Sequence, residues 1–350
     1  MKATQIGLFD AEKRYEKLTE MGDPLEKLDK IMDWEIFREK LTKVCQKEDY
    51  TKGGRPPIDV IIKFKAIILR RIYNLSFDQI EYQINDRLSF MRFLGLGLGD
   101  KVLDSRTIWD FENTLAQAEL IDEMFFMFDE KLESEGLITH KGTIIDATFV
   151  DVPKQRNNHD NNKKIKNGEI PEDWKKPENA SKFAQKDTDA RWAKKNNEIH
   201  FGYKSHVKCD ADSKLITHYA VTNAAVHDSQ CSTVLLDDRD EACYADSAYS
   251  SVEIAKNLPE NCKNMICEKG RRGKLLTEEQ KESNRQKSKV RCRIEHIFGQ
   301  MTGQLHGINI RSIGLTRAWF NIGLLNLVYN FCRYSFLKST EHLQGITMPI

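Results

Sequence analysis

The sequence has no Cys-x-x-Cys pair, no apolar run long enough to cross a bilayer, no internal repeat and almost no net charge. Its eight cysteines (Cys45, Cys209, Cys231, Cys243, Cys262, Cys267, Cys292 and Cys332) are scattered, several of them inside apolar runs where a small buried thiol fits. With no secretory leader, a disulfide framework is not expected. A zinc site from Cys262, Cys267 and a histidine has unusual spacing and is set aside. The charged stretch Met1 to Lys17 lacks the apolar centre of a signal peptide. The greasiest run, near Ala318 to Cys332, is interrupted by Asn321, Asn326 and Asn330. The expectation is a soluble, intracellular protein. A net charge of +1 gives no global pull toward nucleic acid, so any such affinity must be local.

What is present is ordinary globular material: 350 residues, 40% hydrophobic and 31% charged, enough for one large or two modest domains. The first 136 or so residues read as helical. Leu28, Ile31, Met32, Ile36 and Phe37 share a face over Pro24 to Val44. Gly53-Gly54-Arg55-Pro56-Pro57 breaks the pattern, and a helix follows from Asp59 to Tyr73. Ser76 and Gln79 have capping-box spacing, which starts another helix after a tight connection. That pair suits a helix-turn-helix or an ordinary helical hairpin. Two more helices cover about Arg106 to Ala118 and Leu120 to Glu135.

After Gly136 the pattern turns to strands. Thr143 to Val150 is apolar and β-branched with one acid, Asp146, in its middle. Residues 153–197 are polar and lysine-rich and read as a long, partly disordered insertion. Phe201 to Cys209 and Leu215 to Val221 alternate around Asp210-Ala211-Asp212-Ser213, the pattern of a hairpin. A helix is expected at Ser229 to Leu236 and a short strand at 242–245, ending in Asp246. Another helix should cover Ser250 to Leu258, with a strand at Asn264 to Cys267 and a basic loop at Lys269 to Lys274. From Lys289 the stripe Val290, Ile294, Ile297, Phe298, Met301 and Leu305 is helical, with Glu295 at its edge; a last apolar helix covers Leu315 to Leu337. This divides the chain into a helical domain (1–136), an α/β domain (137–312) and a C-terminal helix (313–350).

Strand, hairpin, helix, strand, helix, strand, helix is the order of a ribonuclease-H-like α/β layer. An ionised acid inside a strand costs several kcal/mol unless a positive group sits on it. In isolation Asp146 suits an ion pair or a solvent-facing strand end. Asp246 at a neighbouring strand end and Glu295 on a later helix supply matching acids. Two carboxylates ~4 Å apart repel by about 4 kcal/mol at an effective dielectric near 20, so three converging acids call for cations. An all-oxygen set suits Mg²⁺ or Mn²⁺, and two such ions can activate a hydroxyl and stabilise a leaving oxygen of a phosphodiester.

Several stretches, in this order, resemble insertion-sequence DDE transposases of the insertion-sequence-five type. Gly54-Arg55-Pro56-Pro57, Ile72-Tyr73-Asn74-Leu75-Ser76 and Asp86-Arg87-Leu88-Ser89-Phe90-Met91-Arg92-Phe93-Leu94-Gly95-Leu96 are similar to the family's helical domain. Asp189-Ala190-Arg191-Trp192, His200-Phe201-Gly202-Tyr203-Lys204-Ser205-His206-Val207 and Val226-His227-Asp228-Ser229 are similar to its hairpin region. Tyr244-Ala245-Asp246-Ser247-Ala248-Tyr249 and Arg291-Cys292-Arg293-Ile294-Glu295-His296-Ile297-Phe298-Gly299 complete the set.

The resemblance implies that Asp146, Asp246 and Glu295 are the catalytic, metal-binding triad, holding two Mg²⁺ or Mn²⁺ ions. It implies binding of double-stranded DNA (terminal inverted repeats and target), cleavage, 3′-hydroxyl strand transfer, and a homodimer or larger assembly on paired ends. No membrane partner is implied, and the expected location is the cytoplasm, with the nucleoid in a prokaryote. Arg291 matches the Arg of a Tyr–Arg–Glu–Lys signature and is expected to contact phosphate or orient Glu295. Ser288 and Thr302 stand where that signature has Tyr and Lys, which leaves Lys289 and Arg293 as substitutes.

Further DNA-contact candidates are Arg55, Arg191, Trp192 and Lys204. Trp192 suits either a flipped-out base or ordinary packing. Lys204 and His206 share a strand face that points to the metal site, to DNA or to solvent. Asp228 reads as a helix N-cap and His227 as a structural histidine, while Asp151 and Asp160 are rival acids without strand context. Lys154 to Lys208 and Lys263 to Arg293 are locally positive, which suits a polyanionic substrate or a solvated face. Two rivals stand beside transposition: a nuclease of the same fold without strand transfer, and an inactive, domesticated DNA-binding protein.

Overall fold

The computed structural model describes residues 9–45, 58–195, 197–250, 258–270, 275–307 and 310–346. Arg55 and its Gly-Gly break, the helix expected at Ser250 to Leu258 save its two ends, and 271–274 of the basic loop lie outside the described residues. Backbone contacts divide the chain into two compact units, Met1–Leu120 with Val328–Ile350, and Ile121–Leu327. The expected boundaries near 136 and 313 differ from these: the helix beginning at Leu120 counts almost wholly with the sheet, and the last helix contributes to both units.

The first unit contains α1 (Asp10–Glu20), α2 (Pro24–Ile31), α3 (Arg38–Cys45), α4 (Val60–Ile72), α5 (Phe77–Asp86), α6 (Leu88–Leu94) and α7 (Ser105–Gln117). The helix expected over Pro24 to Val44 is broken in two. Met32 is extended, and the Asp33 carboxylate accepts from Glu35 N–H, starting a short 3₁₀ turn before α3. The Ser76–Gln79 capping box forms as the spacing predicts. Trp34 packs edge-on against Phe64, Phe93 and Phe331, the last of these from the C-terminal helix.

The second unit is built on a six-stranded sheet of β1 (Thr143–Asp151), β2 (Arg191–Lys195), β3 (Glu198–Asp210), β4 (Ile216–Asn223), β5 (Ala242–Tyr244) and β6 (Lys263–Asn264). Its order is β2-β3-β1-β5-β6, with β4 also paired to β3. β3 runs antiparallel to β1, whereas β5 and β6 continue parallel from it. A three-stranded antiparallel meander followed by parallel strands is a ribonuclease-H-like sheet, with the acid-bearing strand at its centre. Residues 153–197 carry more order than expected. They hold α9 (His159–Lys166), α10 (Ala180–Phe183) and β2, which pairs with β3 from Arg191↔Gly202 to Lys195↔Glu198.

Besides α9 and α10, this unit holds α8 (Leu120–Ser134) from Ile121 on, α11 (Ser232–Leu235), α12 (Glu278–Arg291), α13 (Arg293–Gly303) and the start of α14 (Leu315–Ile346), which from Val328 on belongs to the first unit. The helix expected from Lys289 starts eleven residues earlier, at a Thr277–Gln280 capping box, and breaks at Cys292. Buried Asp187 ties the insertion to its surroundings, accepting from Tyr203 Oη at 2.8 Å and from Ala190 and Gly314 N–H. Asp189 accepts from Leu315 N–H at 2.9 Å, so α14 is capped by acids far away in sequence. No helix among the described residues is long and apolar enough to cross a membrane.

Candidate functional site

Alternation along β1 sends Ile145, Ala147 and Phe149 to one face of the sheet and Ile144, Asp146 and Thr148 to the other. The first face is greasy: Ile145 packs with Ala220, Cys231, Leu235, Cys243, Ala245, Tyr249 and Ile266. The parallel register Thr143↔Cys243, Ile144↔Tyr244, continued two residues, sets Asp246 level with Asp146. The two acids therefore share the second face, one strand spacing apart (~4.8 Å between backbones). Each is aimed by the backbone. Asp146 Oδ1 accepts from Ala147 N–H, and Asp246 Oδ1 accepts from Ala248 N–H at the head of the Ser247–Tyr249 turn, both at 2.8 Å.

α12 and α13 pack over this face and bring the third acid. Glu295 lies in the first turn of α13, its side chain 59% exposed. Arg291, the last residue of α12, stands between: Nη1 is 3.5 Å from Asp146 Oδ2 and Nη2 is 3.2 Å from Glu295 Oε1. Burial pushes the Asp146 carboxyl above its usual range, and the negative charge of Asp246 adds to this. The Ala147 N–H and Arg291 oppose it without cancelling it. A half-buried acid beside a second acid is one whose ionised form a cation would relieve.

The three carboxylates do not all lie within 4.8 Å of one another, and the guanidinium spans from Asp146 to Glu295. Among the described residues only His140, Asp237 and Asp240 are gathered that closely. There the central position is taken by Lys208, whose buried Nζ lies 2.8 Å from Asp237 and 2.9 Å from Asp240. Thr143 Oγ1 donates to Asp240 at 2.6 Å, and Arg239 pairs with Asp237. Burial would raise the Asp237 carboxyl, but Arg239 and Lys208 outweigh it and hold it far below the usual range. This network joins loop 237–240 to β3 with its charges already matched. It went unread in the sequence because Lys208 and His140 come from distant strand and loop positions.

The other candidates separate. Arg293 ties α13 to the β3–β4 turn through Ala211 C=O and Asp212, at 2.8 and 2.9 Å. Arg191 is spent on the carbonyls of Thr188, Ala190 and Ile165. Lys289 is exposed, its Nζ donating to Gln286 Oε1 of its own helix at 3.1 Å. Trp192 is 39% exposed with one ring face against Phe201.

Lys204 is not turned toward Asp146. Its partner across the ladder is Phe149, so it faces the opposite side, buried, with Nζ 2.7 Å from both Asp228 Oδ1 and Val226 O. His206 is on that side too, against Thr222, and burial pushes its imidazole down to about 4. Asp228 therefore serves Lys204 rather than capping a helix; His227 Nδ1 accepts from Ser229 N–H instead. Asp151 pairs with His200, whose ring stacks on Phe149 at 4.0 Å, and Asp160 lies beside exposed His159. Ser288 Oγ is 3.8 Å from Cys267 Sγ, and Thr302 bonds back to Phe298 C=O.

Comparison with known families gives two matches that together cover most of the sequence. Residues 138–331 match the family described as "Transposase DDE domain", and residues 13–114 match "Transposase domain (DUF772)". Among solved structures, the chain is similar to the piggyBac transposase in its synaptic complex with hairpin DNA. That alignment has 11% identity and a TM-score of 0.42, and covers 91% of this chain and 76% of that one.

Proposed function

The chain belongs to the DDE transposase family of DNA-cleaving, strand-transferring enzymes, and we propose from its geometry how this member of the insertion-sequence type carries out that activity. Asp146, Asp246 and Glu295 form the catalytic set. The observation that carries this is the shared sheet face of Asp146 and Asp246, with Glu295 reaching it through Arg291. Carboxylate oxygens suit Mg²⁺ or Mn²⁺, and two such ions would supply an activated hydroxyl and a stabilised leaving oxygen. The residues divide the remaining work. Asp146 and Asp246 are fixed by strand and turn backbone and define the floor. Glu295, more exposed and on a helix, closes the site from above. Arg291 has the planar fork that grips a phosphate.

The substrate of this reading is the pair of terminal inverted repeats of the DNA element that encodes the chain, cut to expose 3′-hydroxyls and then joined to target DNA. The helical unit would bind the repeats, and two or more copies would hold the paired ends, acting in the cytoplasm. The test uses a duplex carrying the imperfect inverted repeats that flank the reading frame, with Mg²⁺ or Mn²⁺ present. Wild type should cut at the repeat and join a pre-cut end to a second duplex, and Asp146→Asn should do neither. Cutting without joining would make the chain a nuclease, and binding without either reaction would leave a DNA-binding protein.

A further inference from the structure

We propose that Arg291 is a stand-in cation that keeps the carboxylate site closed until DNA arrives, so that DNA binding and divalent-ion binding are coupled through this one side chain. The inference rests on the triad reading above and adds a regulation of that site. Three carboxylates gather a formal charge of −3, and the guanidinium between Asp146 and Glu295 offsets one unit of it. It lies between Asp146 and Glu295, where an ion shared by those two acids would sit. An ion and a guanidinium there repel each other, so loading requires Arg291 to withdraw.

Its hold is made for exchange. Contacts of 3.5 and 3.2 Å are longer than the 2.7–2.9 Å usual for charge-assisted bonds. Arg291 ends α12 just before the break at Cys292, where a change of rotamer disturbs no helical turn beyond it. Glu295, one turn on, is mostly exposed. A DNA phosphate offers the guanidinium a bidentate partner. Transfer of Arg291 from carboxylates to phosphate leaves the acids short of positive charge and opens them to metal. By linkage the effect is reciprocal: DNA tightens metal binding, and metal tightens DNA binding.

The experiment counts bound Mn²⁺ by electron paramagnetic resonance, with the full chain alone and with a pre-cut duplex that leaves no bond to hydrolyse. Wild type, Arg291→Ala, Arg291→Lys and Asp146→Asn are compared after circular dichroism and thermal melts establish folding. In wild type the duplex should tighten Mn²⁺ binding roughly 10-fold, within the usual 5–150-fold range of coupling. Arg291→Ala should bind Mn²⁺ about as tightly without DNA as wild type does with it, leaving a DNA effect within about twofold. Arg291→Lys, which keeps the charge and loses the fork, should retain the weak DNA-free binding. Equal Mn²⁺ affinity in wild type and Arg291→Ala, or weaker binding in the latter, overturns the proposal. If Asp146→Asn binds Mn²⁺ as wild type does, the triad reading itself fails, which is a distinct result.

Discussion

Single residues here carry conflicts that neighbouring chemistry resolves to different degrees. Asp129 on α8 is the least resolved: it is buried, and its Oδ1 has no hydrogen-bond partner. Burial, helped by the charge of Glu133, pushes its carboxyl up to about 7. An acid whose folded pKa is raised adds stability at low pH and loses it as pH climbs from the unfolded value, near 4, through about 7. Asp129→Asn should therefore flatten stability between pH 5 and 8 and raise it at pH 8, by a few kcal/mol at most. Urea melts across that range check this; an unchanged pH profile would show that Asp129 is not strained by ionisation.

Gly202 poses the opposite case, a position only glycine can fill. Its φ is +152°, and an added Cβ would lie 2.2 Å from Val150 O on the central strand. Neither atom is the end of a flexible side chain, so the β1–β3 ladder must part. Gly202→Ala should cost about 2–4 kcal/mol, read as a lower urea midpoint at unchanged m-value.

At the scale of elements, the central strands and the positions of the candidate acids on them follow from patterns visible in the sequence. Asp146 amid β-branched residues, the alternating hairpin and Asp246 closing a short strand are readable from the sequence, whereas the shared face of the two acids needed the parallel register of β1 and β5. Three things were not legible. The break between α12 and α13 falls at Cys292 inside a continuous apolar stripe, which periodicity cannot mark. The strand β2 is too polar to read as one, because it is an edge strand whose order comes from pairing with β3. The direction of Lys204 was ambiguous because parity tells only that it opposes Tyr203; the ladder partner Phe149 was needed to say which face holds the acid.

The insertion is ordered partly through Asp187, which holds Tyr203, Ala190 and the start of α14 at once. Asp187→Ala leaves several buried donors without an acceptor and should cost about 2–4 kcal/mol, with protease nicking appearing first within residues 153–197. Nicking that begins elsewhere would argue that the insertion is held by other contacts.

For the whole molecule, a formal charge of +1 conceals positive segments on either side of Asp246 in sequence. DNA affinity that arises from local phosphate contacts should fall steeply and log-linearly with salt despite the neutral total. Titration of a repeat-bearing duplex between 50 and 200 mM salt should show at least a ~10-fold loss, and a flat response would place recognition outside these basic stretches. The two family matches fall on the helical and the sheet-bearing parts, so the DNA-handling and chemical roles proposed here divide along the chain in the same order.

Anomalous diffraction from crystals of the full chain grown with a pre-cut duplex and Mn²⁺ reads out the metal position directly. Peaks should appear among the carboxylates of Asp146, Asp246 and Glu295, with Arg291 moved onto a phosphate. Mn²⁺ held instead by His140, Asp237 and Asp240, or absent from the three acids while DNA is bound, would contradict the account.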